Sequence, residues 1–117
     1  MQIETAMTGQ LSRYLDLAVN SAKLTAQNMA NVDTPGYAAV GLDFESEMQA
    51  AMANPAVPVA PHVVHEQGLI ARPDGNNVSM DRESLNLAEA QLKFRTGVTL
   101  LHTQYQMMMD AIHADGK

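Results

Sequence analysis

Cysteine and tryptophan are both missing from this chain, which has only two phenylalanines and three tyrosines among its 117 residues. Without cysteine, disulfides, thiol catalysis and cysteine-type zinc sites are excluded. The hydrophobic residues make up 46% of the chain and are mostly alanine, methionine, valine and leucine, so a compact core would lack large anchors. We therefore expect that one molecule does not bury all of its own apolar surface.

Basic residues are scarce as well, since seven lysines and arginines face thirteen acidic residues and the formal net charge is −6. A phosphate-binding stripe is absent, so we expect no nucleic-acid partner. No window approaches roughly 18 uninterrupted apolar residues, which predicts no membrane span. The first nine residues carry Glu4 and polar groups instead of a basic and then apolar leader, so a protein working outside the cytoplasm would need its own export route.

What the sequence does contain is two apolar stripes at helical spacing, one near each end. Their members recur in steps of four and three residues, the heptad spacing of helices that pack lengthwise. The first stripe comprises Leu11, Leu15, Ala18, Ala22, Thr25, Met29 and Val32. The second lies within residues 84–112 and comprises Leu87, Gln91, Phe94, Val98, Leu101, Tyr105, Met108 and Ile112. Only Gln91 interrupts the apolar character of the second stripe.

These stripes predict a mainly α fold in which long N- and C-terminal helices pair as an antiparallel coiled coil. We expect residues 1–33 and 82–117 to form this helical core, and residues 34–81 to form an irregular, proline-rich insert with a small β-hairpin. Each stripe taken alone is typical of an ordinary helical core. Two stripes around an apolar-poor middle favour packing between subunits as well as within one.

Local signals divide the first half of the chain. Thr5 or Thr8 can cap the first helix, which should end near Asn31, a residue that tolerates the left-handed conformation. Thr34-Pro35-Gly36-Tyr37 predicts a type II turn, with proline second and glycine third. Asn28 and Asn31 lie three apart on one helix edge. They either cap nearby carbonyls, the interpretation we favour, or bond across to a neighbouring helix.

The insert and the second helix carry weaker signals. A short helix is expected at 44–53, and residues 54–61 hold three prolines, typical of an extended linker. Weak strands at 62–66 and 69–72 predict a hairpin over Gln67-Gly68. A dense turn signal follows at 73–77, and Ser79 or Asp81 then offers an N-cap for the last helix.

Catalytic or metal-binding chemistry is poorly supported. His62 and His65 are close in sequence, but residues three apart face opposite sides of a strand, so chelation would need a helical turn there. Residues 74–77 lack the alternating oxygen ligands of a calcium loop. Phosphate-binding loops and nucleophile motifs are also missing, so we expect no cofactor and no enzyme.

Residues 27–37, with Asn28, Ala30, Asn31 and then Thr34-Pro35-Gly36-Tyr37, carry a recognisable motif. This segment resembles the "N-x-A-N-x-x-T-P-G-Y" signature of bacterial flagellar axial proteins, the rod and hook family. Residues 74–83 and 87–94 are similar to the proximal rod subunit of that family. Asp33 stands where the family more often has asparagine, and residues 45–72 are the part that the resemblance supports least.

The resemblance implies a non-enzymatic structural subunit of the flagellar basal body. Such proteins leave the cell through the flagellum's own type III export apparatus and assemble in the periplasm into the rod, which transmits torque from the membrane ring to the hook. It also implies partners: copies of the chain, other rod proteins, ring and rod-adaptor proteins, and the export apparatus. A second hypothesis is a small helical export chaperone or adaptor, since acidic charge and methionine-rich contact surfaces fit it.

Overall fold

The computed structural model describes residues 6–54 and 60–115. Its elements, in chain order, are α1 (Ala6–Ala30), β1 (Val40–Gly41), α2 (Phe44–Ala53), β2 (Val64–His65) and α3 (Met80–Asp115). The mainly α fold with long terminal helices packed against each other is confirmed. The molecule is elongated, measuring 70 × 24 × 18 Å. In the part of the chain that the structure describes, no helix is long and apolar enough to cross a bilayer.

α1 and α3 form an antiparallel pair. A Cβ placed on Gly97 would stand 2.7 Å from Leu15 Cδ2, so the Leu15 side chain of α1 packs directly on the α3 backbone there. Leu11, Ala18 and Thr25 are buried at intervals of seven residues, which is two helical turns, so the predicted α1 stripe faces the partner helix. With 36 residues against 25, α3 is the longer helix of the pair.

α2 covers a second side of α1. Asp43 caps α2 by accepting from the Ser46 backbone N–H at 3.2 Å. The Phe44 ring meets Tyr14 edge to face, with centroids 5.2 Å apart, and the Lys93 ammonium lies 4.0 Å from the Phe44 ring centre. The short helix predicted at 44–53 is confirmed with those bounds.

The small β element has a partner that the sequence did not predict. β2 falls inside the strand expected at 62–66, but it pairs antiparallel with β1, so that Val40 lies opposite His65 and Gly41 opposite Val64. The expected strand at 69–72 is wrong, since that stretch has no strand assignment. A two-residue turn therefore does not join the strands; the chain from 42 to 63, with α2 in it, does.

Of the predictions for the helix ends, the cap of α3 is correct, whereas the Thr8 cap and the left-handed Asn31 of α1 are wrong. Ser79 caps α3, because its hydroxyl accepts from the Arg82 N–H at 3.4 Å. Thr8 lies inside α1 and therefore is not its cap, while Thr5 lies outside the described residues. A left-handed Asn31 is also wrong, because no non-glycine residue in 6–54 or 60–115 has positive φ. Of the predicted proline-rich linker, residues 55–59 are outside the described part.

Candidate assembly site

Asn28 fastens the end of α1 to the start of the insert. Its side chain is fully buried and bonds the Val40 backbone in both directions, donating to Val40 O at 2.7 Å and accepting from Val40 N at 3.0 Å. The Tyr37 hydroxyl also donates to Asn28 Oδ1 at 3.0 Å. Asn28 therefore bonds across to a neighbouring segment, which contradicts the local capping role that we favoured for it.

Asn31, by contrast, does cap locally. Its side-chain amide donates to Gln27 O at 2.8 Å, and its oxygen accepts from the Thr34 hydroxyl at 3.0 Å. The type II turn that follows is confirmed: Gly36 has φ 75°, and Tyr37 N donates to Thr34 O at 3.2 Å. Thr34, Pro35 and Gly36 are solvent-exposed, so the outer edge of the turn is accessible.

The turn at 72–77 docks onto this signature turn. Asn76 is fully buried and donates to both Asn31 O and Thr34 O at 2.8 Å. Gly36 N donates to Asp74 O at 2.8 Å. A Cβ on Gly75, which has φ 86°, would stand 3.3 Å from Gly36 Cα, so glycine serves both the backbone conformation and the close approach.

Further bonds make this junction continuous from α1 to α3. The Asn77 side chain accepts from Ala39 N at 2.7 Å, and Asn77 N donates to Tyr37 O at 3.2 Å. Arg72 donates to the carbonyls of Val32 and Val78. The C-terminal end of α1 and the N-terminal end of α3 are thereby tied together by side-chain amides. The sequence marked 73–77 only as a turn, and it gave no signal that Arg72 takes part.

A buried carboxylate pair lies next to the junction. Glu83 is fully buried, and neither of its carboxylate oxygens has a hydrogen-bond partner among the described residues. Burial raises the pKa of the Glu66 carboxyl, the negative charge of Glu83 raises it further, and Arg82 opposes the rise. Arg82 Nε lies 3.7 Å from Glu66 Oε2, and Asn86 donates to Glu66 Oε1 at 3.4 Å. Apolar spacing in the sequence did not predict that Glu83 would be buried.

The face that α3 turns to α1 differs from the predicted stripe by one heptad position. Glu83, Ala90 and Gly97, spaced seven apart, are buried against the rest of the chain. They alternate with the predicted positions Leu87 and Leu101, which are partly buried. Glu83, Ala90 and Gly97 are charged or small. A prediction from apolar residues alone therefore selects the neighbouring side of α3 instead.

The predicted assembly residues therefore fall into three groups. Leu11 and Ala18 are buried within the chain. A second group is partly buried: Leu15, Ala22, Met29, Leu87, Leu101 and Met108. The third group is exposed on the flank of α3: Phe94 at 41%, Val98 at 44%, Tyr105 at 48% and Ile112 at 54%. One molecule leaves this third group about half exposed, so the pairing of these residues with α1 stays a prediction.

A second set of exposed apolar residues lies on the outer side of α3, away from α1. It comprises Leu85, Leu92, Leu100 and Met107, each at least half exposed. A helix with apolar residues around its circumference is one that becomes buried on most sides. α1 and the insert cover only one side of α3, so the free molecule leaves the rest in contact with water.

His62 and His65, the two histidines that are close in sequence, do not form a metal site with each other. His62 Nδ1 lies 2.9 Å from Glu47 Oε1, and its backbone N–H donates to the same oxygen at 2.9 Å. His65 lies in β2 opposite Val40. Across 6–54 and 60–115, no three histidine, aspartate or glutamate residues are grouped as metal ligands.

The chain is an elongated helical hairpin with an amide-bonded junction at one end and exposed apolar residues along α3. No protein-family model matches the chain. It is 32% identical to the flagellar basal body rod protein FlgB of Salmonella typhimurium over 123 residues, covering 84% of this chain and 86% of that protein. The chain belongs to the FlgB family of flagellar basal body rod proteins.

Two further relatives support the assignment. The Escherichia coli protein of the same name is 31% identical over 121 residues, which cover 86% of this chain and 88% of that protein. The Proteus mirabilis protein is 31% identical over 116 residues, with coverage of 81% and 85%. The similarity extends over most of both chains, so it includes the insert as well as the terminal helices.

Proposed function

We propose that this chain is a non-enzymatic structural subunit of the proximal rod of the flagellar basal body. It transmits torque from the membrane ring to the distal rod and hook as one unit of a helical assembly. The observation that carries this proposal is the exposure of apolar residues on the flank and outer side of α3. Burial of apolar surface is the main favourable term in protein association, and neighbouring subunits supply the cover that one chain lacks.

The junction has a distinct part in this function. Its amide bonds fix the angle at which the insert leaves the helical pair, so strain along α1 and α3 is passed between the two helices at a defined point. We infer that 1–33 and 82–117 form the assembly core and that 34–81 form the outer insert. Buried, fully bonded amides resist deformation better than a flexible linker does.

Membership of the rod family also supports proposals about location and partners. We infer that the chain is exported through the flagellar type III apparatus and occupies the periplasmic rod. There it contacts copies of itself, other rod proteins, and the ring and rod-adaptor proteins of the basal body. The chaperone alternative is less well supported, because a cytoplasmic adaptor does not account for the similarity to rod proteins along most of the chain.

Fractionation separates the two functions. A strain that lacks the native copy of this chain is complemented with an epitope-tagged copy, and basal bodies are purified. We expect the tagged chain in the basal-body fraction and restored swimming. A chain that remains in the cytoplasm when basal bodies form normally would contradict the rod assignment and favour the adaptor.

Two aspartate substitutions test the assembly surface. Val98→Asp changes an exposed residue, so folding should change by less than about 0.5 kcal/mol while incorporation into basal bodies and motility are lost. Leu101→Asp changes a partly buried residue, so both folding and incorporation should fail. Gln49→Asp on exposed α2 is the control and should swim normally. Normal swimming by Val98→Asp would count against the α3 surface.

A further inference from the structure

A shallow apolar groove runs between α1 and α3 on one flank of the hairpin. Its floor on α1 is made of Ala18, Ala22 and Ala26, spaced four residues apart, and Phe94 forms the facing wall on α3. Alanines at this spacing form a low ridge that lets another helix approach to roughly 8 Å between axes. The shape of the groove therefore fits an α-helix laid along it.

The charges at this groove indicate which kind of helix would fit it. Lys23 and Arg95 line it, and neither forms an ion pair within the described ranges. The other described cations do have partners: Arg13, Arg82, Arg72 and Lys93 contact carboxylates, carbonyls or the Phe44 ring. A helix that fits here should thus be apolar along one stripe and carry an acidic residue beside it.

The outer side of α3 has these properties. Leu100, Thr103, Met107 and Asp110 recur in steps of three and four residues, and all four are exposed. Leu100 is 50% exposed and Met107 is 60% exposed, so the stripe offers apolar area as well as the acidic group. Because the stripe lies on the same helix as one wall of the groove, it can enter only the groove of another molecule.

We propose that the groove of one copy receives the outer stripe of α3 from a second copy, with Asp110 placed beside Arg95. This inference rests on the proposed rod function and names the contact through which copies join. If the two α3 helices run parallel and Met107 lies at the level of Gln91, then Asp110 lies at the level of Phe94 and Arg95. The copies are then staggered by roughly 24 Å, since each residue rises about 1.5 Å.

A stagger of this kind is a heterologous contact, in which the two copies use different surfaces. The groove of the second copy stays free for a third, so the contact repeats without closing on itself. Lys23 lies on the α1 side of the same groove and adds to the attraction for the acidic stripe. The apolar floor supplies affinity, and the charge pair sets the register.

The test uses two single-cysteine chains, which is possible because the native chain has none. Ala22→Cys and Met107→Cys are placed in separate copies with tags of different size, co-expressed, and oxidised in purified basal bodies. We expect a mixed disulfide at least tenfold more abundant than in the control pair Glu45→Cys with Met107→Cys. One cysteine per chain ensures that a disulfide joins two copies.

A second pair, Ala26→Cys with Thr103→Cys, guards against a variant that fails to assemble. If chains carrying either pair reach the basal bodies and give only disulfides between like copies, or none, the proposed contact is overturned. A groove filled by another protein gives the same negative result. If the wild-type chain itself is missing from basal bodies, the rod function fails instead, so the two failures are distinguishable.

Charge exchange provides an independent readout. Asp110→Arg should lower incorporation at least tenfold because it places a cation beside Arg95 and Lys23. Combining it with Arg95→Asp should restore much of the loss when both changes are in the same chain, since every copy then supplies the reversed pair. Normal incorporation of Asp110→Arg alone would contradict the contact.

Discussion

Asn28 is the single side chain on which the junction depends most. Its amide is fully buried and satisfies both backbone groups of Val40 and the Tyr37 hydroxyl. Asn28→Ala leaves those groups buried without partners, and we expect a loss of about 3 kcal/mol in the free energy of unfolding. Denaturant titration followed by circular dichroism measures the loss.

Asn20→Ala is the matched control for that substitution. Asn20 makes one exposed bond to Asp16 O within the same helix, so its removal should cost less than about 0.5 kcal/mol. If the two variants were equally stable, the bonds from Asn28 to β1 would not hold the insert in place.

Glu66 should make the stability of the free chain depend on pH. Its pKa is raised above the ordinary value of 4.5 by burial and by Glu83, so the folded state holds the proton more tightly than the unfolded state does. Stability therefore falls as the pH rises from about 4.5 through the folded pKa. Glu66→Gln should flatten this dependence and stabilise the chain at neutral pH, measured as melting temperature against pH.

Glu89→Gln is the control for the pH experiment, because Glu89 is exposed on α3, the helix that carries Glu83. It should leave the shape of the pH profile unchanged. An unaltered profile in Glu66→Gln would show that the buried carboxyl pair does not govern the response.

At the scale of elements, α1 and α3 pack tightly at Gly97. Gly97→Leu forces a side chain into the space held by Leu15 and Tyr14, which lie 2.7 and 3.0 Å from an added Cβ. Leucine favours helix over glycine by about 1 kcal/mol, but overpacking exceeds this gain, so we expect a net loss of roughly 2 kcal/mol. Thermal unfolding of the purified chain measures it.

The neighbouring Thr96→Leu makes a matched comparison, since Thr96 is exposed. It should change stability by less than about 0.5 kcal/mol. If Gly97→Leu were as stable as Thr96→Leu, the two helices would not be in close contact at this point.

The elements were predictable where a local signal decides the structure. α2, the type II turn and the Ser79 cap each depend on residues within a few positions of one another, and the sequence predicts them correctly. The α1 stripe was also predicted, because its buried positions are apolar or small and regularly spaced.

The errors concern structure that is set by distant parts of the chain. β1 pairs with β2 across 22 intervening residues, and the sequence of neither strand indicates its partner. The side of α3 that meets α1 contains Glu83, Ala90 and Gly97, which hydrophobicity alone does not select. Close packing of α1 side chains on the α3 backbone, which favours small residues, outweighed apolar area there.

At the scale of the whole molecule, these errors share a cause. The exposed residues Phe94, Val98, Tyr105 and Ile112 have the spacing of a buried stripe but are not covered within one chain. This spacing is explained if other subunits bury the helix. The apolar pattern of α3 therefore describes the assembly more than the monomer. The apolar spacing does not indicate the kind of assembly in which this burial takes place. The family signature does.

The most direct test compares thiol reactivity before and after assembly. Single-cysteine variants at Tyr105 and Leu92, which are 48% and 66% exposed, are treated with an alkylating reagent as free chains and as purified basal bodies. We expect rapid modification of the free chains, protection of at least tenfold in basal bodies, and recovery when the basal bodies are dissociated. Equal reactivity in the free and assembled states at both positions would contradict it.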